Sequence, residues 1–323
     1  MKRNALLFVF SLLVLSGCAV SLLPETKPLE EKEVEGEGKA KILLLDLDGM
    51  ISFKDETDCL NIKSRPSKVA FIREALLKAE ADSDIAGVIM RINSPGGTVT
   101  ASDTIYHEIV GFKEKRKIPV TAYIMELGTS GGYYVAAASD RIIASPTAIT
   151  GSIGVIAMKF NVEGLLSKIG VSDETYKSGP KKDFWSPFRP STAEEKKMFQ
   201  DIIDKLYARF VGVVYANRKK LLTQEEVKTL ADGRILTAGE ALELKLIDHV
   251  AYLDETIEAM KKALNIEKAR VITYVRPKTF KSNIYSEYSE MPQTSPRVIN
   301  LISINGDELS LFSGAQFMYL WNP

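Results

Sequence analysis

The sequence predicts an α/β fold with a helical C-terminal portion, and three observations carry that expectation. Apolar runs that read as buried strands alternate with segments of helical spacing across residues 41–124. The first two runs lead into glycine-bearing turns, Asp48-Gly49 and Asn93-Ser94-Pro95-Gly96-Gly97-Thr98. Hydrophobic residues make up 45% of the 323, ample for one large core or two modest ones. Strand and helix in this alternation imply a right-handed βαβ series.

The elements follow in order. Lys41 to Leu47 is the first strand, Val69 to Ala81 a helix, Ile85 to Ile92 a strand, Ala101 to Lys115 a helix and Ile118 to Ile124 a strand. Residues 127–155 then hold a glycine-flanked serine ahead of a small-residue helical run. Ser191 to Arg218 is a long helix opened by Ser191-Thr192-Ala193-Glu194, with apolar residues at Met198, Ile202, Leu206, Phe210 and Val213. Thr223 to Ala231, Thr237 to Leu246 and Leu253 to Leu264 are shorter helices, and Arg270 to Val275 is a last strand. Residues 276–295 read as a linker, and 297–304 with 309–320 as an apolar tail that packs on something.

Composition excludes several functions. Net charge is zero, lysines and arginines are dispersed, and the one charged run, Glu30 to Lys39, has an acidic excess, so no nucleic acid is expected. Two cysteines and two histidines cannot assemble a zinc or iron-sulfur ligand set; a metal site would have to be all oxygen, and no such cluster stands out.

The chain opens on Met1-Lys2-Arg3-Asn4 and the apolar run Ala5 to Leu15, the pattern of an export signal. Leu15-Ser16-Gly17-Cys18 resembles a bacterial lipobox, which implies cleavage after residue 17 and acylation of Cys18. The alternative is an uncleaved anchor over residues 5–23, just long enough to span a bilayer. Either tethers the protein to a membrane, with its body outside the cytoplasm. Residues 24–39 are charged, with glycine and proline and almost nothing to bury, and are expected to be a disordered tether. The expected organisation is a signal over 1–17, lipidated cysteine and tether over 18–39, one domain over 40–275 and an extension over 276–323. Cys59 reads as structural, with no disulfide partner.

Ser130, in Thr129-Ser130-Gly131-Gly132, is placed where backbone N–H groups at a helix start can hold an oxyanion. The same residue type is also a favoured helix N-cap, and this stretch alone leaves both readings open. The turn at residues 93–98 likewise presents free N–H groups at a strand's carboxyl end, or is only a tight turn.

Together, Asn-Ser-Pro-Gly-Gly after one strand and Thr-Ser-Gly-Gly-Tyr-Tyr, Ala-Ala-Ala-Ser-Asp and Thr-Gly-Ser-Ile-Gly-Val after the next resemble the signal peptide peptidase A family. These are protease IV-like serine peptidases, here in a short form with a single peptidase domain. The likeness runs from about Lys41 to about Val250, with Asp232-Gly233-Arg234 and Ala241-Leu242-Glu243-Leu244 as later landmarks. It implies a crotonase-like (Clp peptidase-like) fold of repeated ββα units, Ser130 as nucleophile, Gly97 and Gly131 as oxyanion donors, and a lysine base. It also implies a ring-like homo-oligomer, cleaved signal peptides and other unfolded peptides as substrates, and no cofactor.

A serine nucleophile needs a proton acceptor, usually histidine. His107 lies on an amphipathic helix and His249 near a helix end, and no histidine stands between Gly131 and Glu240. The segment Tyr176 to Phe188 supplies three lysines, and the family's pattern of glycine, two variable residues, lysine and aspartate matches Gly179 to Asp183 with Lys182 as base. A lysine acts as base at neutral pH only when burial lowers its pKa from about 10.4 by roughly three units, about 4 kcal/mol. In an extended segment Lys181 and Asp183 point away from Lys182. Ser152 resembles the serine that orients the lysine amine, and is equally a turn residue. Two rival functions remain, an acyl-CoA-processing enzyme of crotonase type and a catalytically inactive scaffold lipoprotein.

Overall fold

The computed structural model describes residues 28–57, 64–277, 279–280, 289–290 and 317–321. The strands are β1 (Glu30–Gly36), β2 (Lys41–Asp48), β3 (Glu56–Thr57), β4 (Ser64–Arg65), β5 (Ile85–Ser94), β6 (Gly96–Thr98), β7 (Val120–Thr129) and β8 (Arg141–Ala144). They continue as β9 (Ile149–Gly151), β10 (Ile235–Thr237), β11 (His249–Val250), β12 (Arg270–Val275), β13 (Thr279–Phe280), β14 (Ser289–Glu290) and β15 (Met318–Leu320). The helices are α1 (Lys68–Ala81), α2 (Val99–Arg116), α3 (Gly131–Ala136), α4 (Glu163–Lys168), α5 (Ala193–Arg218), α6 (Gln224–Leu230), α7 (Ala238–Glu243) and α8 (Leu253–Ala263).

The central sheet runs β1-β12-β2-β5-β7-β8-β11. From β12 to β11 every neighbouring pair is parallel. Parallel strands joined by helices are covered on both faces, which is why β2 is apolar at nearly every position rather than at alternate ones. Leu43, Leu45 and Leu47 pack into one core with α1 and α2, while Ile42 and Leu44 join Ile257 and Met260 of α8 beneath the sheet. The exception in β2 is Asp46, which lies opposite Arg91 of β5 and pairs with it at 2.6 Å, both buried. Beyond Ile124 the long strand β7 leaves β8 and pairs instead with β9, which carries β10 on its far side. Past this divergence residues 127–129 lie between β5 and β9 and lead into the site described below.

Residues 24–39 read in the sequence as a disordered tether, and here the structure differs. Glu30–Gly36 is β1, antiparallel to β12 from Glu30 opposite Val275 to Gly36 opposite Arg270. The apolar anchor is Leu29, buried at the strand's start, and the charges are used rather than hidden: Glu31 pairs with Lys41 at 2.9 Å. An edge strand gains its order from backbone hydrogen bonds to β12, so an apolar pattern was not needed and none is present. The folded body therefore starts ahead of residue 40. Cys18 and the signal segment, Cys59, and residues 297–304 lie outside the described residues. Among the described residues no helix is long and apolar enough to cross a membrane. Within the expected linker, β13 and β14 form a short antiparallel pair.

Candidate active site

Ser130 sits at the junction between β7 and α3 with φ 52° and ψ −114°, a left-handed conformation that a side chain adopts only under constraint. Two bonds impose it. The Ser130 N–H donates to the Gly151 carbonyl at 2.8 Å, and the Ser130 carbonyl accepts from Tyr134 N–H at 2.8 Å. The hydroxyl makes no capping bond to α3, so the helix-cap reading does not hold. It is left for other work at a site where only 1% of the residue is exposed.

The turn after β5 closes over this serine. Ser94 Oγ donates to the Gly49 carbonyl at 2.6 Å and accepts from Gly96 N–H at 3.1 Å, so one buried hydroxyl sets the turn's shape. Glycine is required at two successive positions. A Cβ on Gly96, whose φ is 103°, would lie 2.7 Å from the Gly131 nitrogen, and one on Gly97 would lie 1.9 Å from the Ile51 carbonyl oxygen. The two glycine turns that are separate in sequence thus meet, with Gly96, Gly97, Ser130 and Gly131 in one place. Ser152 joins them through β9, directly after the Gly151 that receives the Ser130 N–H. It too has positive φ, 50°, and its N–H donates to the Arg234 carbonyl at 2.7 Å. His107 and His249 are both exposed and belong to other elements, α2 and β11.

Lys182 stands apart from this cluster. Its segment is a chain of turns rather than the extended run expected from sequence: Lys182 N–H donates to Gly179 at 3.1 Å, Phe184 to Lys181 at 3.3 Å and Ser186 to Asp183 at 2.9 Å. Alternation therefore does not govern these side chains. Asp183 turns inward to Lys177 at 2.7 Å and to Arg189 at 2.9 Å, and Arg189 reaches Glu195 at 2.6 Å. Arg189, then Lys177, hold the Asp183 carboxyl well below the usual carboxylate range, and Arg189 with the Thr192 N–H bring Glu195 down to about 2. Glu195 is also the partner of Thr192 in the capping box of α5, so the lysine loop is tied to a helix start. Lys181 pairs with Glu194. The Lys182 side chain is exposed and makes no hydrogen bond or ion pair among the described residues.

Beside this loop a cavity of about 490 Å³ is lined by Ala157, Lys159, Trp185, Ser191 and Phe199 among others. Lys159 donates to Ser191 Oγ at 2.7 Å, and burial, helped by the nearby Arg189, lowers its pKa. Sequence reasoning passed over Ser94, Gly96 and Lys159. Ser94 and Gly96 stood inside a motif already singled out, whereas nothing in the sequence around Lys159 marks it.

Comparison with known proteins places this geometry. A Clp protease family model matches residues 59–149, the span holding both glycine turns and Ser130. The model of peptidase family S49 matches residues 112–267, the span holding Ser130, Ser152 and Lys182. An Enterococcus faecium protein named as a candidate signal peptide peptidase, SppA, is 36% identical over 84% of this chain and 79% of its own. The chain belongs to peptidase family S49. This S49 chain is also 28% identical to Protease 4 of Salmonella typhi over 75% of its length, a match that takes up 40% of that longer protein. It is 32% identical to the chloroplastic serine protease SPPA of Arabidopsis thaliana over 71% of its length and 33% of the relative's. The S49 chain is a serine-type peptidase of the signal peptide peptidase A family on a Clp protease-like, crotonase-type fold, and the acyl-CoA alternative falls away.

Proposed function

We propose that this S49 peptidase is a membrane-tethered endopeptidase working through a Ser130–Lys182 dyad. The single observation that carries the serine is its backbone, held at φ 52° with the hydroxyl unused by the helix it precedes. Ser130 Oγ attacks a peptide carbonyl while the neutral Lys182 amine takes its proton. The Gly97 and Gly131 N–H groups hold the oxyanion, and Lys182 returns the proton to the leaving amine. Water then hydrolyses the acyl-enzyme by the same route in reverse, with Ser152 orienting the lysine. Cleavage of an unfolded peptide by wild type, Ser130→Ala, Lys181→Met and Lys182→Met tests the class and the base together. Full activity in Lys182→Met with loss in Lys181→Met would overturn the assignment.

The exposed Lys182 favours a site completed by a second copy of the chain. The same stretch carries uncovered apolar side chains at Phe160, Leu165, Ile169 and Val171, each about half exposed or more, and a Tyr176 that is 91% exposed. A neighbouring protomer laid over this surface would bury those groups and remove Lys182 from water, the condition a lysine base needs. The assembly is a ring-like homo-oligomer in which serine and lysine of one site come from adjacent protomers. Mixing inactive Ser130→Ala and Lys182→Ala chains then restores part of the activity, and no restoration at any ratio refutes sharing.

Tethering is by an acylated Cys18 or an uncleaved N-terminal anchor, with the catalytic body outside the cytoplasm of a bacterial cell. Labelled palmitate incorporated by the wild type and lost in Cys18→Ser supports the lipid. The substrates are cleaved signal peptides and other unfolded segments, testable by their accumulation in cells carrying Ser130→Ala.

A further inference from the structure

In the shared site proposed above, the direction of the Lys182 amine cannot come from the backbone around Ser130, so its own chain has to set it. Its two sequence neighbours offer anchors of unequal strength. Lys181 pairs with Glu194, but Glu194 is 70% exposed, and an ion pair in water adds little order. Asp183 is held more firmly: its side chain is only 11% exposed and accepts from Lys177 at 2.7 Å and from Arg189 Nε and Nη2 at 2.9 and 3.0 Å.

Arg189 uses both edges of its guanidinium. One edge, Nε with Nη2, grips the two carboxylate oxygens of Asp183, and Nη2 also donates to the Asp183 backbone carbonyl at 3.2 Å. The other edge, Nη1 with Nη2, grips Glu195 at 3.0 and 2.6 Å. Glu195 is buried and its Oε2 also accepts from Thr192 N–H at 2.8 Å, so it is fixed to the first turn of α5. The bond to the Asp183 carbonyl extends the grip from side chain to backbone, one residue from Lys182. Beyond Asp183 the hold continues, with Phe184 and Trp185 packed on the buried Phe199 of α5 at ring-centroid distances of 4.6 and 3.9 Å. A planar fork shared between two carboxylates is a geometry that a lysine ammonium does not reproduce.

From this arrangement we infer that Arg189 is the positioning residue of the proposed base: it ties the backbone at Asp183 to the start of α5 and so aims the Lys182 amine before a second protomer covers it. The inference rests on the Ser130–Lys182 reading above. Arg189 acts through Lys182 alone. Misplacing a reacting group by about 1 Å costs on the order of 10²-fold in rate, so loss of this grip is felt in the chemical step and not in substrate binding.

A double-mutant cycle on the full-length chain tests this, with an unfolded peptide as substrate and every variant assayed at a concentration where size exclusion gives the wild-type assembly. Alone, Arg189→Gln lowers kcat by about 30- to 100-fold and leaves KM within about twofold. In a Lys182→Met background the same change costs less than about twofold, because no amine is left to aim. Arg189→Lys, which keeps the charge and loses the fork, recovers at most a few-fold of the lost kcat, and recovery to the wild-type rate overturns the forked grip. Where turnover of Lys182→Met is too slow to follow, the rate at which a fluorophosphonate probe labels Ser130 takes the place of kcat. A loss that appears in KM instead of kcat overturns the inference. Should Arg189→Gln fail to assemble, Asp183→Asn carries the cycle, since it keeps the shape and removes the charge that the guanidinium grips. Full activity in Lys182→Met would sink the base reading itself, whereas a slow Lys182→Met enzyme in which Arg189→Gln costs as much as in wild type would sink the positioning role alone.

Discussion

The Ser130 turn and the Lys182 loop, the two parts of the proposed dyad, are built in opposite ways. Around Ser130 everything is buried and backbone-held: a strained φ, a bond to Gly151, glycines that admit no Cβ, and a turn braced by Ser94. Around Lys182 the support is ionic, through Asp183, Arg189 and the buried Glu195, and the lysine side chain itself is exposed, with no hydrogen bond or ion pair among the described residues. A nucleophile must be placed to within fractions of an ångström, which backbone geometry in a packed core achieves. A lysine base needs loss of water instead, and that can be supplied late, by another protomer.

Substitutions can break this contrast, and the largest effect belongs to the rigid half. Ser130→Ala is expected to lower kcat/KM by on the order of 10⁴-fold or more, in a peptide-cleavage assay, as removal of a nucleophile does. Ser130→Gly should abolish activity equally while raising stability by about 1 kcal/mol in denaturant unfolding, since glycine accepts φ 52° without strain. A lower stability in Ser130→Gly would show that the conformation is not strained.

Next comes the open half. Lys182→Met should cost about 10²–10⁴-fold in kcat with an unchanged melting temperature, because an exposed side chain contributes little to the fold. Lys181→Met should change kcat only a few-fold. Gly96→Ala sits where the halves of the fold meet, and its Cβ would lie 1.9 Å from the Tyr319 carbonyl oxygen. It should lower stability by about 1–3 kcal/mol and raise protease sensitivity of the C-terminal segment.

The smallest effect sharpens the ionic side. Asp183 and Glu195 both have carboxyls depressed by Arg189, so their contribution is present above the ordinary carboxylate range near pH 4 and lost as pH falls toward the folded values. Proteolytic nicking of residues 176–188 should rise over that interval and hardly change above pH 5. In Arg189→Gln the rise should begin without acid, and a variant indistinguishable from wild type would remove the anchoring role.

Much of the frame was legible in the residues. The strand at Arg270–Val275 has the bounds read from sequence, and β2, β5, α1 and α2 fall within a few residues of theirs, because buried apolar runs and helical periodicity are local signals. β1 was missed because an edge strand of alternating charge is ordered by its neighbour's backbone and carries no apolar pattern. The turns at 178–186 were read as extended because lysine and aspartate side chains say nothing about backbone shape until Arg189 and Glu195 are near.

Local chemistry in the chain determined the alternation of strands and helices, the two glycine turns, the serine between them and the lack of a usable histidine. Each depends on neighbours in sequence or on what is absent, so no fold is needed to see it. Tertiary structure alone decided that Gly96 meets Gly131, that Ser130 is strained rather than capping, that Lys182 stays in water, and that the last residues of the chain lie against Gly97. The contacts among them join positions up to some two hundred residues apart, and pairings between strands remote in the chain, β15 with β6 and β9 with β7, bring those positions together.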